Sequence, residues 1–524
     1  MCCSGSVLGD TDGLGRRYLS SLQPWRWRSL CLNHNTGSAI FSALFQPIPA
    51  IASPIHCIAT LLESPYPLPP GSLPNPTSIS SETARYSICA GAPRFIRGQF
   101  QLWTPAIDKI LPTLASLLRQ PTLSHENHFW VGPEAPETSL PFTGGWLGWL
   151  GYDLAWEIER LPYLNPDPLP FPVAYWYEPE QFAVLDHDHQ RLWLAATHPH
   201  QLDEMQWRLE HHAMATAASS QSSPNSNAPN LTSDFNWETL RFGFSQADYE
   251  AIVLKAKHYI QAGDIFQANL SLRFETQTTA ESWAIYRQLQ SINPSPFASY
   301  WRTPWGEMIS GSPERLVQLT GQRAQTRPIA GTRSRGSTPD QDRQLAQDLV
   351  ADAKEHAEHI MLLDLERNDL GRVCQWGSVQ VSELLTIERY SHVMHLVSNV
   401  IGVLQPNRDA IDLIRAMFPG GTITGCPKVR CMEIIEELEP LRRSLFYGSC
   451  GYLDWRGNLD LNILIRTLLL STKPTHQPSA LRLNQVWGQV GAGIVADSNP
   501  EREWCESLQK AKAQFLALGR SIPA

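Results

Sequence analysis

The 524-residue sequence lacks several features that would place it in a class at once. None of its ten cysteines forms a Cys-x-x-Cys pair, so neither a zinc ribbon nor a redox dithiol is expected. Scattered cysteines of this kind are typical of reduced thiols in a cytoplasmic protein. The longest apolar stretch near the start, residues 39–52, is interrupted by Gln46, Pro47 and Pro49 and is too short to cross a bilayer. The sequence therefore predicts a protein with no signal peptide and no membrane partner.

Positive charge is also scarce. The chain has 42 lysine and arginine residues against 51 aspartate and glutamate residues, which gives a formal net charge of -9. Without a basic excess to neutralise phosphates, nucleic acid is not an expected partner. Proline (40 residues) and tryptophan (18 residues) are abundant instead, and they predict rigid turns and bulky aromatic packing.

One stretch of low complexity divides the chain. Residues 215–235 consist mainly of serine, asparagine, alanine and proline, and are predicted to be a flexible linker. They separate an N-terminal region over 36–214, with short strand-like runs, from a catalytic domain over 236–524. Residues 1–35 show no clean hydrophobic period and remain an unassigned extension.

The back region contains recognisable helices. Apolar residues at steps of three and four predict a helix over 248–262, capped by Ser245 and ended by Gly263. Further helices are predicted over 339–365, 429–437 and 500–518, and strands over 265–274, 463–470 and 489–495. Helices and strands mix without regular βαβ alternation, so the fold class is predicted to be α+β.

Two glutamate pairs are candidate metal ligands. Glu355 and Glu358 lie three residues apart in one predicted helix, and Glu503 and Glu506 repeat the spacing in another, so each pair shares a helix face. Either pair alone is also typical of a solvated helix surface. Two such pairs flanked by apolar residues favour oxygen ligands that converge on Mg²⁺.

Glycine-rich turns and one arginine supply groups for anions. The turns at 418–428 and 491–493 can present backbone N–H groups to an anion, or can be ordinary turns, and neither has P-loop spacing. Arg466 offers a planar pair of donors suited to a carboxylate. A cleft in which a metal and an arginine each hold an anion predicts a small dicarboxylate substrate.

From residue 244 onwards the chain carries an ordered series of motifs. They are Gly263-Asp-Ile-Phe-Gln, Gly311-Ser-Pro-Glu-Arg, Pro328-Ile-Ala-Gly-Thr, Asp364-Leu-Glu-Arg-Asn-Asp-Leu-Gly-Arg, Met394-His-Leu-Val-Ser, Ile465-Arg-Thr and Gly491-Ala-Gly-Ile-Val-Ala-Asp-Ser. This series resembles the chorismate-utilising enzymes, and within them the large synthase subunits of anthranilate synthase and aminodeoxychorismate synthase. The resemblance implies two stacked, mainly antiparallel sheets flanked by helices, and a cytoplasmic enzyme that needs Mg²⁺.

The resemblance also implies roles for individual residues. Glu358 and Glu506 would hold Mg²⁺ on the ring carboxylate of chorismate, with Glu355 and Glu503 in support. The substrate contacts are expected from Thr422, Tyr452, Arg466, Gly491, Gly493 and Lys510. Glu314 would protonate the departing C4 hydroxyl, a task that requires a raised pKa.

The residue at position 267 indicates whether water or ammonia attacks the substrate. In the isochorismate and salicylate synthases of the family, a lysine there is the base that activates water, whereas Gln267 cannot abstract a proton. Ammonia is therefore the expected nucleophile. The chain has no Gly-x-Cys-x-Gly elbow for hydrolysing glutamine, which implies a glutaminase partner or free ammonia.

The residue at position 330 indicates which of the two ammonia-using reactions the enzyme catalyses. In aminodeoxychorismate synthases the motif resembles Pro-Ile-Lys-Gly-Thr, and its lysine attacks C2 covalently, whereas Ala330 has no nucleophile. This favours direct attack of ammonia at C2 and release of pyruvate, with His395 associated with the elimination and Thr332 grouped with the catalytic residues. The predicted enzyme is an anthranilate synthase large subunit.

Other segments are closer to the aminodeoxychorismate branch, among them Phe266-Gln-Ala-Asn-Leu, Pro296-Phe-Ala-Ser-Tyr and Gly421-Thr-Ile-Thr-Gly. That branch, which makes 4-amino-4-deoxychorismate for folate biosynthesis, is the alternative prediction. A regulatory paralogue without activity is a remote third.

A feedback site is predicted in the front region. Leu62, Glu63 and Ser64 resemble the element that helps to form the tryptophan site of anthranilate synthases, with Asn293 and Pro294 on the facing segment. A serine after an apolar strand is equally an ordinary cap, and both interpretations stay open here.

Overall fold

A computed structural model of the chain describes residues 25–32, 35–46, 53–64, 85–119, 140–220, 239–389, 393–472 and 483–519. Most of the predicted N-terminal extension and residues 221–235 of the predicted linker lie outside these ranges. Within them, no helix has the length and apolar character needed to cross a bilayer.

The described ranges contain eleven α-helices and 24 strands. The helices are α1 (Gly37–Leu44), α2 (Ile110–Arg119), α3 (Ala155–Ile158), α4 (Pro199–Ser220), α5 (Gln246–Gln261), α6 (Ser282–Ile292), α7 (Pro339–Ala351), α8 (Ala353–Gly371), α9 (Ala410–Met417), α10 (Lys428–Leu438) and α11 (Pro500–Ala517). The strands are β1 (Arg26–Cys31), β2 (Ala59–Glu63), β3 (Tyr86–Ala90), β4 (Phe95–Ile96), β5 (Gln99–Phe100), β6 (Leu102–Trp103), β7 (Gly145–Leu150), β8 (Ala174–Tyr177), β9 (Gln181–Asp186), β10 (Arg191–Ala196), β11 (Arg241–Phe242), β12 (Gln267–Thr278), β13 (Phe297–Thr303), β14 (Gly306–Ser312), β15 (Arg315–Thr320), β16 (Arg323–Arg327), β17 (Ile329–Ser334), β18 (Gln380–Arg389), β19 (Val393–Val403), β20 (Gly425–Cys426), β21 (Ser449–Asp454), β22 (Leu459–Asn462), β23 (Thr467–Thr472) and β24 (Asn484–Ile494).

Two large antiparallel sheets form the core. The first has the order β1-β10-β9-β3-β2-β13-β14-β23-β24-β12-β11, with β20 added beside β12. The second has the order β17-β19-β16-β15-β22-β21-β7-β8-β6, with β18 added beside β19. Trp149 of the second sheet meets Trp301 of the first edge to face, with ring centroids 5.8 Å apart, so the sheets are stacked. The predicted α+β class with two stacked, antiparallel sheets is confirmed.

Strands from the front and back of the chain alternate in both sheets. In the first sheet β2 pairs with β13, where Leu61 lies opposite Tyr300. In the second sheet β7 pairs with β21, where Gly148 lies opposite Gly451. The regions over 36–214 and 236–524 are therefore joined by continuous hydrogen-bonded sheets.

The outer face of the first sheet is covered by helices. Leu270, Leu272 and Phe274 alternate along β12 and pack with α5, α6 and α11 in one apolar cluster. Phe274 meets Phe515 of α11 with ring centroids 4.8 Å apart. Because strand side chains alternate between faces, the intervening residues of β12 point between the two sheets, which is where the functional site lies.

Most of the helix predictions are confirmed. Helix α5 begins with a capping box, in which the Ser245 side chain accepts a hydrogen bond from the backbone N–H of Asp248. Helices α10 and α11 also lie where they were predicted. The single helix over 339–365 is wrong: α7 ends at Ala351 and α8 begins at Ala353, because Asp352 between them is extended, with ψ 107°.

Three other boundaries differ from prediction. Helix α4 continues to Ser220, inside the range predicted to be a linker. Strand β24 begins at Asn484, before the predicted start at 489, and residues 491–493 belong to this strand instead of forming a turn. Strand β23 begins at Thr467, so Arg466 precedes the strand and has a positive φ of 52°.

Candidate active site

A cavity of about 460 Å³ opens beside β12 and β24, with α8 and α11 contributing to its wall. It is lined by most of the predicted site residues: Gln267, Glu314, Glu355, Glu358, His395, Thr422, Arg466, Gly491, Gly493, Glu503, Glu506 and Lys510. Residues that are up to 243 positions apart along the chain, from Gln267 to Lys510, therefore meet in one place. This convergence makes the cavity the candidate active site.

The four glutamates reach the cavity in pairs from α8 and α11. Gln267 Nε2 donates to Glu358 Oε1 at 2.7 Å, and Lys510 Nζ lies 2.9 Å from Glu506 Oε1. Arg333 Nη1 lies 3.8 Å from Glu355 Oε1. Cationic and amide donors thus hold the carboxylates in place at the cavity wall.

Two glycines leave room for these carboxylates. A Cβ at Gly331 would lie 2.7 Å from Glu355 Oε2, and a Cβ at Gly493 would lie 3.3 Å from Glu358 Oε1. Within the described ranges, no three His, Cys, Asp or Glu side chains gather closely enough to enclose a metal ion by themselves. Carboxylates spread around an open cavity suit Mg²⁺, which keeps few protein ligands and takes its other oxygens from water and substrate.

Glu314 has the electrostatic character of an acid catalyst. It lies in the turn between β14 and β15, where its backbone N–H donates to Ser312 Oγ at 3.3 Å. Burial raises the pKa of the Glu314 carboxyl to about 8, and the neighbouring Glu366 carboxylate adds to the rise. At neutral pH the group is therefore a protonated acid able to donate a proton.

Arg466 and His395 complete the polar wall. Arg466 Nη1 donates to Asn293 Oδ1 at 3.2 Å, and its positive φ is the kind of backbone strain that is found at functional sites. Burial, together with a smaller contribution from the nearby Arg466 cation, lowers the pKa of His395 to about 3. His395 is therefore a neutral imidazole at physiological pH.

Asn269 and Tyr447 are among the cavity residues that the sequence predictions missed. Their Oδ1 and OH atoms are buried without a hydrogen-bond partner in the described part of the chain. A Cβ at Gly491 would lie 2.8 Å from Tyr447 OH and 3.0 Å from Asn269 Oδ1. Asn269 could have been found, because it follows Gln267 by two positions on one strand face. Nothing in the sequence indicated Tyr447, which has a positive φ of 64°.

The prediction that Tyr452 contacts the substrate is corrected by its position. Tyr452 lies in β21, buried opposite Leu147 and Asp460, and lines a second, smaller cavity. Tyr447, which precedes β21, reaches the larger cavity instead. The backbones of Ala330 and Thr332 belong to β17, and Ile329 and Gly331 of the same strand line the larger cavity. The side chains of Ala330 and Thr332 lie outside what the structure describes.

The second cavity contains part of the predicted feedback site. It is lined by Leu62, Glu63 and Ser64, with Pro296 and Phe297 on the facing segment. Ser64 Oγ donates to Pro296 O at 3.3 Å, which joins the two segments.

Asn293 and Pro294 are not part of that lining. Asn293 instead accepts the hydrogen bond from Arg466, so the predicted placement of this pair in the feedback site is corrected. The reason is that Asn293 terminates α6, and its side chain faces Arg466 and the carbonyl of Gly311.

Comparisons with known proteins agree with this geometry. Residues 100–515 match the family described as chorismate binding enzyme. An anthranilate synthase component I-like protein of Synechocystis sp. is 56% identical over 514 residues, which are 98% of this chain and 96% of that protein. Aminodeoxychorismate synthase component 1 of Bacillus subtilis is 45% identical over 405 residues, which are 75% of this chain and 81% of that protein.

The crystal structure of anthranilate synthase component I from Streptococcus pneumoniae is also similar. It superimposes with a TM-score of 0.63 at 32% identity, covering 86% of this chain and 95% of that one. A family match across most of the chain, close relatives and a shared fold point to the same group. The chain belongs to the chorismate-binding enzymes, among homologues named anthranilate synthase component I and aminodeoxychorismate synthase component 1.

Proposed function

We propose that this protein is an anthranilate synthase component I, which converts chorismate and ammonia to anthranilate, pyruvate and water. The observation that carries the proposal is Gln267. It lines the cavity and donates to Glu358, so the position offers an amide and no base for activating water. Ammonia is already a nucleophile and needs no such base.

Different lining residues would bind the metal ion and the two carboxylates of the substrate. Glu358 and Glu506 would hold Mg²⁺, supported by Glu355 and Glu503, and the ion would supply positive charge to the ring carboxylate. Arg466 and Lys510 provide the cations for the enolpyruvyl carboxylate.

Two residues then move protons. Ammonia forms a bond to C2 while the C4–O bond breaks, and Glu314 gives its proton to the departing hydroxyl, which leaves as water. C2 then loses its proton as the ether bond at C3 breaks and pyruvate departs, and His395, which lines the cavity, is the residue that we assign to this elimination.

A second candidate, aminodeoxychorismate synthase component I, is favoured by a different observation. Asn269 and Thr422 belong to the segments that resemble that branch, and both line the cavity itself. The relative from Bacillus subtilis with 45% identity carries that name. Against it, Ala330 supplies no nucleophile for covalent attack at C2.

The two candidates predict different products from the same mixture. Full-length protein incubated with chorismate, ammonium chloride and Mg²⁺ is expected to release pyruvate and fluorescent anthranilate in equal amounts. Lactate dehydrogenase coupling measures the first, and fluorescence measures the second. Loss of chorismate to a stable amino compound without pyruvate would identify the second candidate, and unchanged chorismate would contradict both.

We also infer that a separate glutaminase subunit supplies the ammonia. The names of two relatives, component I and component 1, support a second component. The chain's own lack of a glutaminase elbow supports the same inference.

We further propose that the smaller cavity binds tryptophan as a feedback inhibitor. Pro296 and Phe297 line it, and Asn293, just before them in the chain, is hydrogen-bonded to Arg466. A ligand that shifts this segment would therefore disturb the arginine that holds the substrate.

Titration with tryptophan tests this proposal. Wild-type turnover is expected to fall as tryptophan is added. The Ser64→Phe side chain fills the cavity, so this variant is expected to need at least about tenfold more tryptophan for the same inhibition. A tenfold change corresponds to a loss of roughly 1.4 kcal/mol of binding free energy. Ser64→Ala controls for loss of the hydroxyl alone. Wild-type activity that ignores tryptophan would refute the site.

A further inference from the structure

A buried ion pair lies directly behind the wall of the active-site cavity. Glu439 follows the last residue of α10, and Arg443 lies four positions further on, in the segment that leads to β21. Arg443 Nη2 donates to Glu439 Oε1 at 2.6 Å, and Arg443 Nε donates to Glu439 Oε2 at 3.0 Å. The two residues are only 1% and 4% exposed, and neither lines the cavity. The pair therefore acts on the site through other residues.

The remaining hydrogen bonds of Arg443 hold two parts of the cavity wall. Nη1 donates to the backbone carbonyl of Ile423 at 2.7 Å, and Nη2 also donates to the backbone carbonyl of Asn269 at 2.6 Å. Ile423 ends the short helical turn Gly421–Ile423, and Asn269 lies in β12. Both residues line the cavity, as does Thr422 of the same turn. One guanidinium thus fixes the turn relative to the strand.

The same guanidinium lies against an aromatic ring of the wall. Its carbon is 4.7 Å from the centroid of the Tyr447 ring, a cation–π contact. The positive φ of Tyr447, 64°, is a backbone conformation that a tyrosine keeps only where its surroundings hold it. Tyr447 OH and Asn269 Oδ1 are buried atoms without a hydrogen-bond partner in the described ranges, and both residues line the cavity. Such atoms are available to bond to a bound molecule.

Glu439 extends the support along β12. Its Oε1 accepts hydrogen bonds from the backbone N–H and from Oγ of Ser271, each at 2.8 Å. A buried ion pair is weak evidence for stability, because apolar residues of similar volume often replace one without loss. What arginine adds is a rigid, planar set of donors that fixes several groups relative to one another. Positioning of the wall therefore explains a charge pair at this place better than stability does.

We propose that Arg443, held by Glu439, is a positioning residue that sets Asn269, Thr422 and Tyr447 in register for the substrate. The inference rests on the proposed use of chorismate, and it holds for either product. A displacement of about 1 Å can cost roughly 10²-fold in rate even when its cause is far from the reacting atoms. The glutamates proposed to bind Mg²⁺ lie on α8 and α11, and the contacts of Arg443 described above involve neither helix. Loss of Arg443 should therefore impair the use of chorismate and spare the affinity for Mg²⁺.

The double variant Glu439→Gln/Arg443→Met tests this proposal. It removes both charges and keeps an acceptor for Ser271. At saturating ammonia, kcat/KM for chorismate is expected to fall at least about 100-fold, with the activation constant for Mg²⁺ at saturating chorismate within about twofold of wild type. A merely structural role would move both quantities together.

The neighbouring arginine provides a matched control. Arg442 is 2% exposed, and its guanidinium lies 3.6 Å from the buried carboxylate of Asp153 and between the rings of Trp156 and Tyr163. None of these four residues lines the active-site cavity. Asp153→Asn/Arg442→Met therefore removes an equally buried charge pair, and wild-type kcat/KM for chorismate is expected for it.

Thermal unfolding shows whether each variant folds. Wild-type kcat/KM in folded Glu439→Gln/Arg443→Met, or an equal loss in the control variant, would overturn the positioning role and leave the proposed function standing. If the first double variant does not fold, Arg443→Lys decides the question, because it keeps the charge without the planar donors. Its kcat/KM is expected to stay at least about tenfold below wild type, and full activity would overturn the proposal.

A wild-type protein that does not turn over chorismate would contradict the proposed function. Calorimetry with chorismate and Mg²⁺ then makes the same comparison on binding alone. Weaker binding in Glu439→Gln/Arg443→Met than in the control variant would support the positioning role, and equal binding in the two would overturn it.

Discussion

Replacing Glu314 with glutamine is expected to lower kcat by about 10²–10⁴-fold, the range that general acid catalysis contributes. Glutamine keeps the size and polarity of the side chain but has no carboxylic proton to give to the departing hydroxyl. The KM for chorismate is expected to change little, since the substrate carboxylates are assigned to other residues. Steady-state kinetics with saturating ammonia measure both quantities.

The pH profile provides a more specific readout. Because the pKa of Glu314 is raised to about 8, its acid form is present below that pH and is lost as the pH rises through it. Wild-type kcat/KM for chorismate should therefore fall above about pH 8. The residual activity of Glu314→Gln should not show this alkaline decrease.

Glu366→Gln is the matched control. This variant retains the Glu314 acid but removes a neighbouring carboxylate that raises the pKa of Glu314. The alkaline decrease in kcat/KM should therefore move to lower pH, with kcat largely preserved. Wild-type turnover in Glu314→Gln would contradict the assignment of Glu314 as the acid.

Replacing Glu358 or Glu506 with alanine is expected to remove nearly all turnover. Metal-ion catalysis supplies several kcal/mol of charge stabilisation, so the loss should be on the order of 10³-fold. Glu358→Ala also removes the acceptor of the Gln267 hydrogen bond, and Glu506→Ala the partner of Lys510. Both variants should bind Mg²⁺ more weakly in calorimetry performed with chorismate present.

Glu501→Ala is the control for the second of these variants. It removes an exposed carboxylate from the first turn of the same helix, outside the cavity lining. Normal kinetics and Mg²⁺ affinity are expected for it. If Glu506→Ala also behaved in this way, Glu506 would not be a metal ligand.

Local features of the site could be predicted from the sequence. The spacing of Glu355 with Glu358, and of Glu503 with Glu506, is a property of one helical turn, so their shared helix faces followed from the sequence. The same holds for the cap at Ser245, which depends on residues three positions apart.

The break at Asp352 is also local, yet no proline or glycine indicates it. Two consecutive helices were therefore predicted as one. Tyr452 and Tyr447 show a further limit, because which of them reaches the cavity depends on the register of β21 against β7 and on a left-handed backbone at Tyr447.

The sequence by itself determined the family, the α+β class and most of the residues that converge in the active site, because motif order and helix periodicity are properties of the chain. Only the tertiary structure decided that Glu314 is a protonated acid, since its pKa depends on burial and on Glu366. It also decided that the polar residues of β12 lie between two sheets. Alternation along a strand defines two faces, but whether the polar face meets water or the protein interior depends on what packs against it from elsewhere in the chain.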